Sequence, residues 1–133
     1  MRISHDLSLY LVTDPAMTAA RGLVETVRRA AAGGVTMVQL RDKQARDAEL
    51  LGLARALVAS LAGTGVRVIV NDRADIAAAA GAHGVHLGQD DGDAAQARAL
   101  LGASAVIGQS AGSMDELARV DPSLVDYVGI GPF

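Results

Sequence analysis

Acids, bases and amides stand where short apolar runs stop. Val68-Ile69-Val70 passes into Asn71-Asp72, and Val85-His86-Leu87 passes through Gly88-Gln89 into Asp90-Asp91. An earlier run ends Gln39-Leu40-Arg41-Asp42-Lys43, and a later one ends Gly108-Gln109-Ser110. Brought together, these groups form a donor set for a divalent cation and a phosphorylated ligand. Two bare carboxylates ~4 Å apart repel by about 4 kcal/mol at an effective dielectric of ~20, and a bridging cation removes that penalty. Magnesium suits the set, because it takes one or two carboxylates and completes its shell with phosphate oxygens and water. Arg41 and Lys43 are two positions apart, hence on one side of the chain if the strand continues through them. They would hold the remaining phosphate oxygens, Arg41 as a planar fork and Lys43 as a point charge.

Each residue also has an ordinary reading. Asp72 could cap a helix beginning near Ala74, and capping does not exclude metal binding. Asp90, Asp91 and Asp93 could form a solvated loop with an N-cap. Arg41 and Lys43 could be surface charges, and Ser110 a turn hydroxyl. His86 alternates with Val85 and Leu87, so it points away from them and could be structural. The readings part on one question, which is whether the elements bring these ends to one place.

The elements alternate. Strands are expected at residues 7–12, 36–40, 66–70, 84–87, 105–108 and 127–130. Helices are expected between them. Leu23, Val24, Val27, Ala30 and Ala31 line one helical face, and Leu50, Leu51, Ala54, Leu57, Val58 and Leu61 line another. Shorter helices are expected at residues 74–80 and 94–101. Gly33-Gly34, Gly63, Gly81 and Gly102 close these helices, and Ser113-Met114-Asp115-Glu116 has the spacing of a capping box opening a fifth. Alternation of this kind implies a parallel sheet. A doubly wound sheet usually carries a Gly-rich turn after its first strand, but here that turn reads Thr13-Asp14-Pro15. Short, even units fit a (β/α)8 TIM barrel better, with all polar strand ends on one rim.

Composition narrows the function. The chain has 133 residues and a net charge of −3, so it is not a general binder of nucleic acid or anionic membrane. It has no cysteine, which excludes disulfides and thiolate metal sites. No apolar run is long enough to span a bilayer, and residues 1–6 lack the apolar centre of a signal peptide, so a cytoplasmic location is expected. Tyr10, Tyr127 and Phe133 are the only aromatic residues, which leaves the core to Val, Ile, Leu and Ala.

From Leu9 onward the chain resembles the thiamine phosphate synthase family. The stretches that carry this are Leu9-Tyr10-Leu11-Val12-Thr13-Asp14, Gln39-Leu40-Arg41-Asp42-Lys43, Asn71-Asp72, Gly84-Val85-His86-Leu87-Gly88-Gln89-Asp90-Asp91 and Asp126-Tyr127-Val128-Gly129-Ile130-Gly131-Pro132. The resemblance implies a (β/α)8 barrel that joins hydroxymethylpyrimidine diphosphate to thiazole phosphate and releases pyrophosphate. It implies magnesium on Asp72 and Asp91, and a pyrimidine diphosphate against Gln39, Arg41, Lys43, Asn71 and Ser110, with His86 near the pyrimidine ring. Arg41 and Lys43 would act catalytically by stabilising the leaving group. Relatives often carry a His two positions after the Ser matched by Ser110. Gly112 stands there instead, which speaks against the related thiazole tautomerase.

The resemblance ends early. A barrel of this kind takes roughly 200 residues or more, and the family's later strands hold the thiazole phosphate. The expectation is a single incomplete barrel over residues 1–133, truncated after about strand six. Such a chain, made alone, is expected to be inactive and to associate through its open edges into a homo-oligomer or an insoluble product. Two other readings stay open: a non-catalytic fragment that binds the pyrimidine diphosphate, and a tautomerase-like paralogue.

Overall fold

The computed structural model describes residues 5–90 and 92–131. Its strands are β1 (Tyr10–Val12), β2 (Met37–Leu40), β3 (Arg67–Asn71), β4 (Gly84–Leu87), β5 (Val106–Ala111) and β6 (Tyr127–Ile130). Helices α1 (Pro15–Thr18) and α2 (Leu23–Ala32) follow β1, and α3 (Asp47–Ser60) follows β2. Helices α4 (Ala74–Ala80), α5 (Ala94–Leu101) and α6 (Met114–Ala118) follow β3, β4 and β5. Every strand pairing among the described residues is parallel, and the strands neighbour one another in chain order. A doubly wound sheet reverses its order at a switch point. This sheet advances in one direction only, as a barrel does. It also curls, because the phenol oxygens of Tyr10 and Tyr127 lie 2.5 Å apart although β1 and β6 are the two edge strands. The architecture is the expected α/β barrel type, with six strands among the described residues.

Alternation along each strand sorts side chains into two layers. Val38, Leu40, Val68 and Val70 face outward and are sealed by Val27 of α2, by Leu50, Ala54 and Leu57 of α3, and by Ile76 and Ala77 of α4. Val85, Leu87 and Ile107 pack in the same way with Ala97 of α5 and with Val125. Full burial of one such aliphatic side chain stabilises by about 1.5–3 kcal/mol. Met37, Ile69 and Val106 form a separate cluster on the inner face, and Tyr10 and Tyr127 pack against it. This cluster is the floor beneath the polar rim.

Three local outcomes differ from the sequence expectation. Strand β1 begins at Tyr10 rather than residue 7; at Leu9 the amide donates to the Thr36 hydroxyl (3.2 Å), while its carbonyl still accepts the amides of Thr36 and Met37. Strand β5 continues past residue 108 to Ala111, with Ser110 opposite Gly129. Helix α1 was not anticipated. Its signal is Asp14-Pro15, where the Asp14 carboxylate accepts the amide of Ala16 (2.8 Å) and proline occupies the first turn. Of the expected caps, Gly33 closes α2 in the right-handed region (φ −84°) and the positive φ falls on Gly34, while α3 ends on Leu61 rather than Gly63. Gly81 ends α4 with φ 71°, in the left-handed region that costs glycine nothing. Ser113 accepts the amide of Glu116 at 3.1 Å, while the Glu116 carboxylate accepts the amide of Gly112 at 2.5 Å.

Candidate active site

The upper inner layer is polar. Gln39 sits two residues above Met37 on β2, Asn71 two above Ile69 on β3, and Ser110 four above Val106 on β5, so each shares a face with a floor residue. Together with His86 of β4 and Tyr127 of β6 they line a cavity of about 450 Å³. Tyr10, Val12, Arg41 and Gly129 complete much of its wall. Of the residues singled out from sequence, Gln39, Arg41, Asn71, His86 and Ser110 therefore face one space.

These side chains hold one another. Asn71 Nδ2 donates to Gln39 Oε1 (2.7 Å), and Gln39 Nε2 donates to the Tyr10 phenol (3.0 Å). His86 is bonded on both ring nitrogens, Nδ1 to the Tyr127 phenol (2.9 Å) and Nε2 to Ser110 Oγ (2.7 Å). The Tyr127 ring tilts over the imidazole at 31°, with centroids 5.5 Å apart. It occupies the space that a Cβ on residue 108 would need, so only glycine at Gly108 admits it. Burial pushes both phenols above the usual tyrosine range, and the neighbouring Tyr10 adds to the effect on Tyr127. Both stay protonated as hydrogen-bond donors. Neither tyrosine was singled out from the sequence as a site residue. The available signal was their rarity and their inward phase on the first and last strands.

Arg41 and Lys43 do not share a face through strand continuation, because β2 ends at Leu40. The amide of Arg41 donates to Thr13 Oγ1 (3.2 Å), which anchors the chain at the cavity mouth. Beyond it Asp42 accepts the amides of Gln44 and Ala45 and turns the chain. That turn carries Lys43 across to β3, where its ammonium pairs with Asp72 Oδ2.

Asp72 does not cap α4. Arg73 is the N-cap residue there, and no side chain makes the capping bond. Asp72 instead adopts φ 69°, a left-handed conformation that Asp tolerates better than most residues. Its amide donates to the carbonyl of His86 (2.8 Å), which ties β3 to β4 at this level. Its Oδ1 is buried and has no hydrogen-bond partner among the described residues. An orphaned buried carboxylate oxygen costs more than about 1–3 kcal/mol unless a cation or donor meets it. Asp72 also borders a smaller hollow with Gly92, Asp93 and Gln96. Asp93 itself caps α5, accepting the amide of Ala95 at 2.8 Å. Asp91 lies outside the described residues. Among the described residues no three His, Asp or Glu side chains converge to hold a metal by themselves. Magnesium asks for fewer, needing one or two carboxylates beside ligand phosphate and water. The Asp72 carboxylate fits that demand.

The sequence matches the thiamine monophosphate synthase family over residues 9–133. It is 60% identical over 127 residues to the thiamine-phosphate synthase of Azorhizobium caulinodans, and 56% identical to that of Xanthobacter autotrophicus. Each alignment covers 96% of this chain and 60% of the relative, so the chain spans about three fifths of their length. The thiamine phosphate pyrophosphorylase structure from Pyrococcus furiosus superposes with a TM-score of 0.82 at 32% identity, over 93% of this chain and 59% of that one. The parallel sheet in barrel order, the polar rim and these matches agree: the chain belongs to the thiamine monophosphate synthase family.

Proposed function

We propose that this chain carries the pyrimidine diphosphate and metal half of a thiamine phosphate synthase. The whole enzyme would join hydroxymethylpyrimidine diphosphate to thiazole phosphate and release pyrophosphate. One observation carries the reading. Gln39, Arg41, Asn71, His86 and Ser110, contributed by four separate strands and their ends, line a single cavity with the Lys43–Asp72 pair beside it. The names of the relatives support the same chemistry.

The residues have distinct tasks. Gln39, Asn71, His86 and Ser110 hold the pyrimidine diphosphate from the wall, at positions already locked by their mutual hydrogen bonds. Arg41, at the mouth, offers two parallel N–H groups to phosphate oxygens. Lys43 adds a point charge from the end of β3, where it pairs with Asp72. As the pyrimidine methylene loses pyrophosphate and becomes cation-like, Arg41 and Lys43 offset the negative charge that builds on the leaving group. The thiazole nitrogen then captures the methylene, and no protein nucleophile takes part. Asp72 and Asp91 would hold magnesium, which when bound neutralises charge on the departing pyrophosphate. Proximity of the two substrates supplies much of the remaining acceleration.

The reading includes two small-molecule substrates, magnesium as cofactor and a cytoplasmic location. No helix among the described residues is long and apolar enough to cross a membrane. The test is thiamine phosphate formation by the protein expressed from its complete reading frame, assayed with both substrates and with magnesium or a chelator. Magnesium-dependent product is expected. Absence of product with both substrates saturating would reject the proposal.

A further inference from the structure

Six polar side chains, one from each strand, form an unbroken hydrogen-bonded chain through the interior. It runs Asn71, Gln39, Tyr10, Tyr127, His86, Ser110, and no link exceeds 3.0 Å. Its direction follows from donor chemistry. Asn71 donates to the Gln39 carbonyl, which leaves the Gln39 amide nitrogen, a donor only, to face Tyr10. Tyr10 therefore accepts from Gln39 and gives its single proton to Tyr127. Tyr127 has its own proton left, and the neighbour remaining is His86 Nδ1. A neutral imidazole that accepts on one nitrogen carries its proton on the other. His86 Nε2 then donates to Ser110 Oγ. The Ser110 hydroxyl hydrogen has no place left within the chain, and Ser110 stands on the cavity wall. Burial of both phenols keeps their protons in place.

We propose that the chain has this one polarity: Tyr127 is a positioning residue that fixes His86 as the neutral Nε2–H tautomer, and the Ser110 hydroxyl is thereby held as a hydrogen-bond donor to the ligand. The tautomer assignment stands on the interior geometry alone. Only the last step, donation to a pyrimidine diphosphate, rests on the reading given under Proposed function.

Long-range nitrogen–proton NMR of the histidine rings in the full-length protein tests the assignment. His83 is an internal standard, because its Nδ1 accepts the amide of Val68 at 2.9 Å and so its proton belongs on Nε2. A His86→Gln variant identifies the His86 signals by their loss. The wild type is expected to show His86 as a single Nε2–H tautomer, like His83. Tyr127→Phe removes the donated proton and is expected to turn His86 into a tautomer mixture while His83 keeps its pattern. An Nδ1–H tautomer or an imidazolium in the wild type overturns the polarity, and that spectrum decides even if Tyr127→Phe does not fold. A single Nε2–H tautomer surviving in a folded Tyr127→Phe overturns the positioning role. For the last step, calorimetry with hydroxymethylpyrimidine diphosphate should show Ser110→Ala weakened by roughly twofold to tenfold, the range of one neutral hydrogen bond. Unchanged affinity removes the donor role. Failure of the wild type to bind removes the synthase reading and leaves the tautomer assignment standing.

Discussion

The Lys43 ammonium meets Asp72 Oδ2 across 29 residues of sequence, and the second oxygen of the same carboxylate, Oδ1, is buried without a hydrogen-bond partner among the described residues. One carboxylate is thus divided between a cation already in place and an unmet demand. That division leads to the first prediction. Asp72→Asn keeps a residue type that tolerates the left-handed backbone and removes the charge, so the fold should survive while magnesium-dependent turnover is abolished. Asp72→Ala should lose turnover too, with a stability cost of about 1–2 kcal/mol from the same backbone conformation. Asp91→Ala is expected to match the activity loss. Turnover assays across a magnesium titration, with a circular dichroism melt of each variant, check this. Near-wild-type turnover in both carboxylate variants would remove the metal site.

Arg41 is exposed at the cavity mouth, with its backbone tied to Thr13. A charge-assisted bond to the diphosphate is worth about 1.5–3 kcal/mol. Arg41→Ala should therefore weaken pyrimidine diphosphate binding by roughly tenfold to a hundredfold, read by calorimetric titration. An unchanged affinity would make Arg41 an ordinary surface charge.

Gly108 gives its side-chain space to the Tyr127 ring. In Gly108→Ala the added methyl overlaps that ring, so Tyr127 must shift and its bond to His86 must break. Overpacking of this kind costs about 1–3 kcal/mol. Urea denaturation should show that loss, together with an altered near-ultraviolet tyrosine signal. A variant as stable as wild type would mean the ring has room elsewhere.

Asp126 anchors the start of β6. Its Oδ2 accepts from Arg98 Nη2 (2.9 Å) and from the amide of Ile107 (2.8 Å), and its side chain is 1% exposed. Asp126→Ala leaves the largely buried Arg98 guanidinium without its carboxylate, though still donating to the carbonyls of Ala105 and Leu124, and strands the amide of Ile107. Breaking one side of a buried pair typically costs about 3–5 kcal/mol. Chemical denaturation is the measure, and a loss under about 1 kcal/mol, the scale of an exposed pair, would contradict the assignment.

His83 supplies a pH signature. Burial, and then the charge of Arg67, lower its pKa below the usual 6.5, and its Nδ1 accepts the amide of Val68. The folded protein thus binds the proton more weakly than the unfolded chain does. The contribution of neutral His83 is fully present above pH 6.5 and is lost as pH falls from there toward the lowered folded value. The urea midpoint should drop between about pH 7.5 and about pH 5.5, above the range where ordinary carboxylates titrate. His83→Asn retains an acceptor without the titration, so its midpoint should fall less. Equal slopes for both proteins would assign the pH effect to other groups.

How much of this was legible in the sequence depended on the range of the interaction. Strand positions, the Gly81 cap, the Ser113–Glu116 box and the helical stripes are local patterns, and each appeared where its spacing placed it, within a few residues at the ends. Parallel alternation pointed to a barrel rim carrying the polar strand ends, and the family resemblance picked out Gln39, Arg41, Lys43, Asn71, His86 and Ser110 among them. The sequence determined these because side-chain phase along a strand is set by chain geometry alone. Tertiary structure decided the rest. Strand β5 ran on to Ala111 because β6 offered backbone partners beside Ser110. Lys43 left the face of Arg41 because the strand ended and Asp42 turned the chain. Asp72 does not cap α4 because its left-handed backbone (φ 69°) departs from the extended conformation of a cap residue, and Lys43, reached only through the fold, takes its Oδ2. Tyr10 and Tyr127 met only because the sheet curls until phenols reaching inward from its two edge strands lie a hydrogen bond apart. No local pattern records that meeting, since the two residues are 117 positions apart and curvature belongs to the whole sheet.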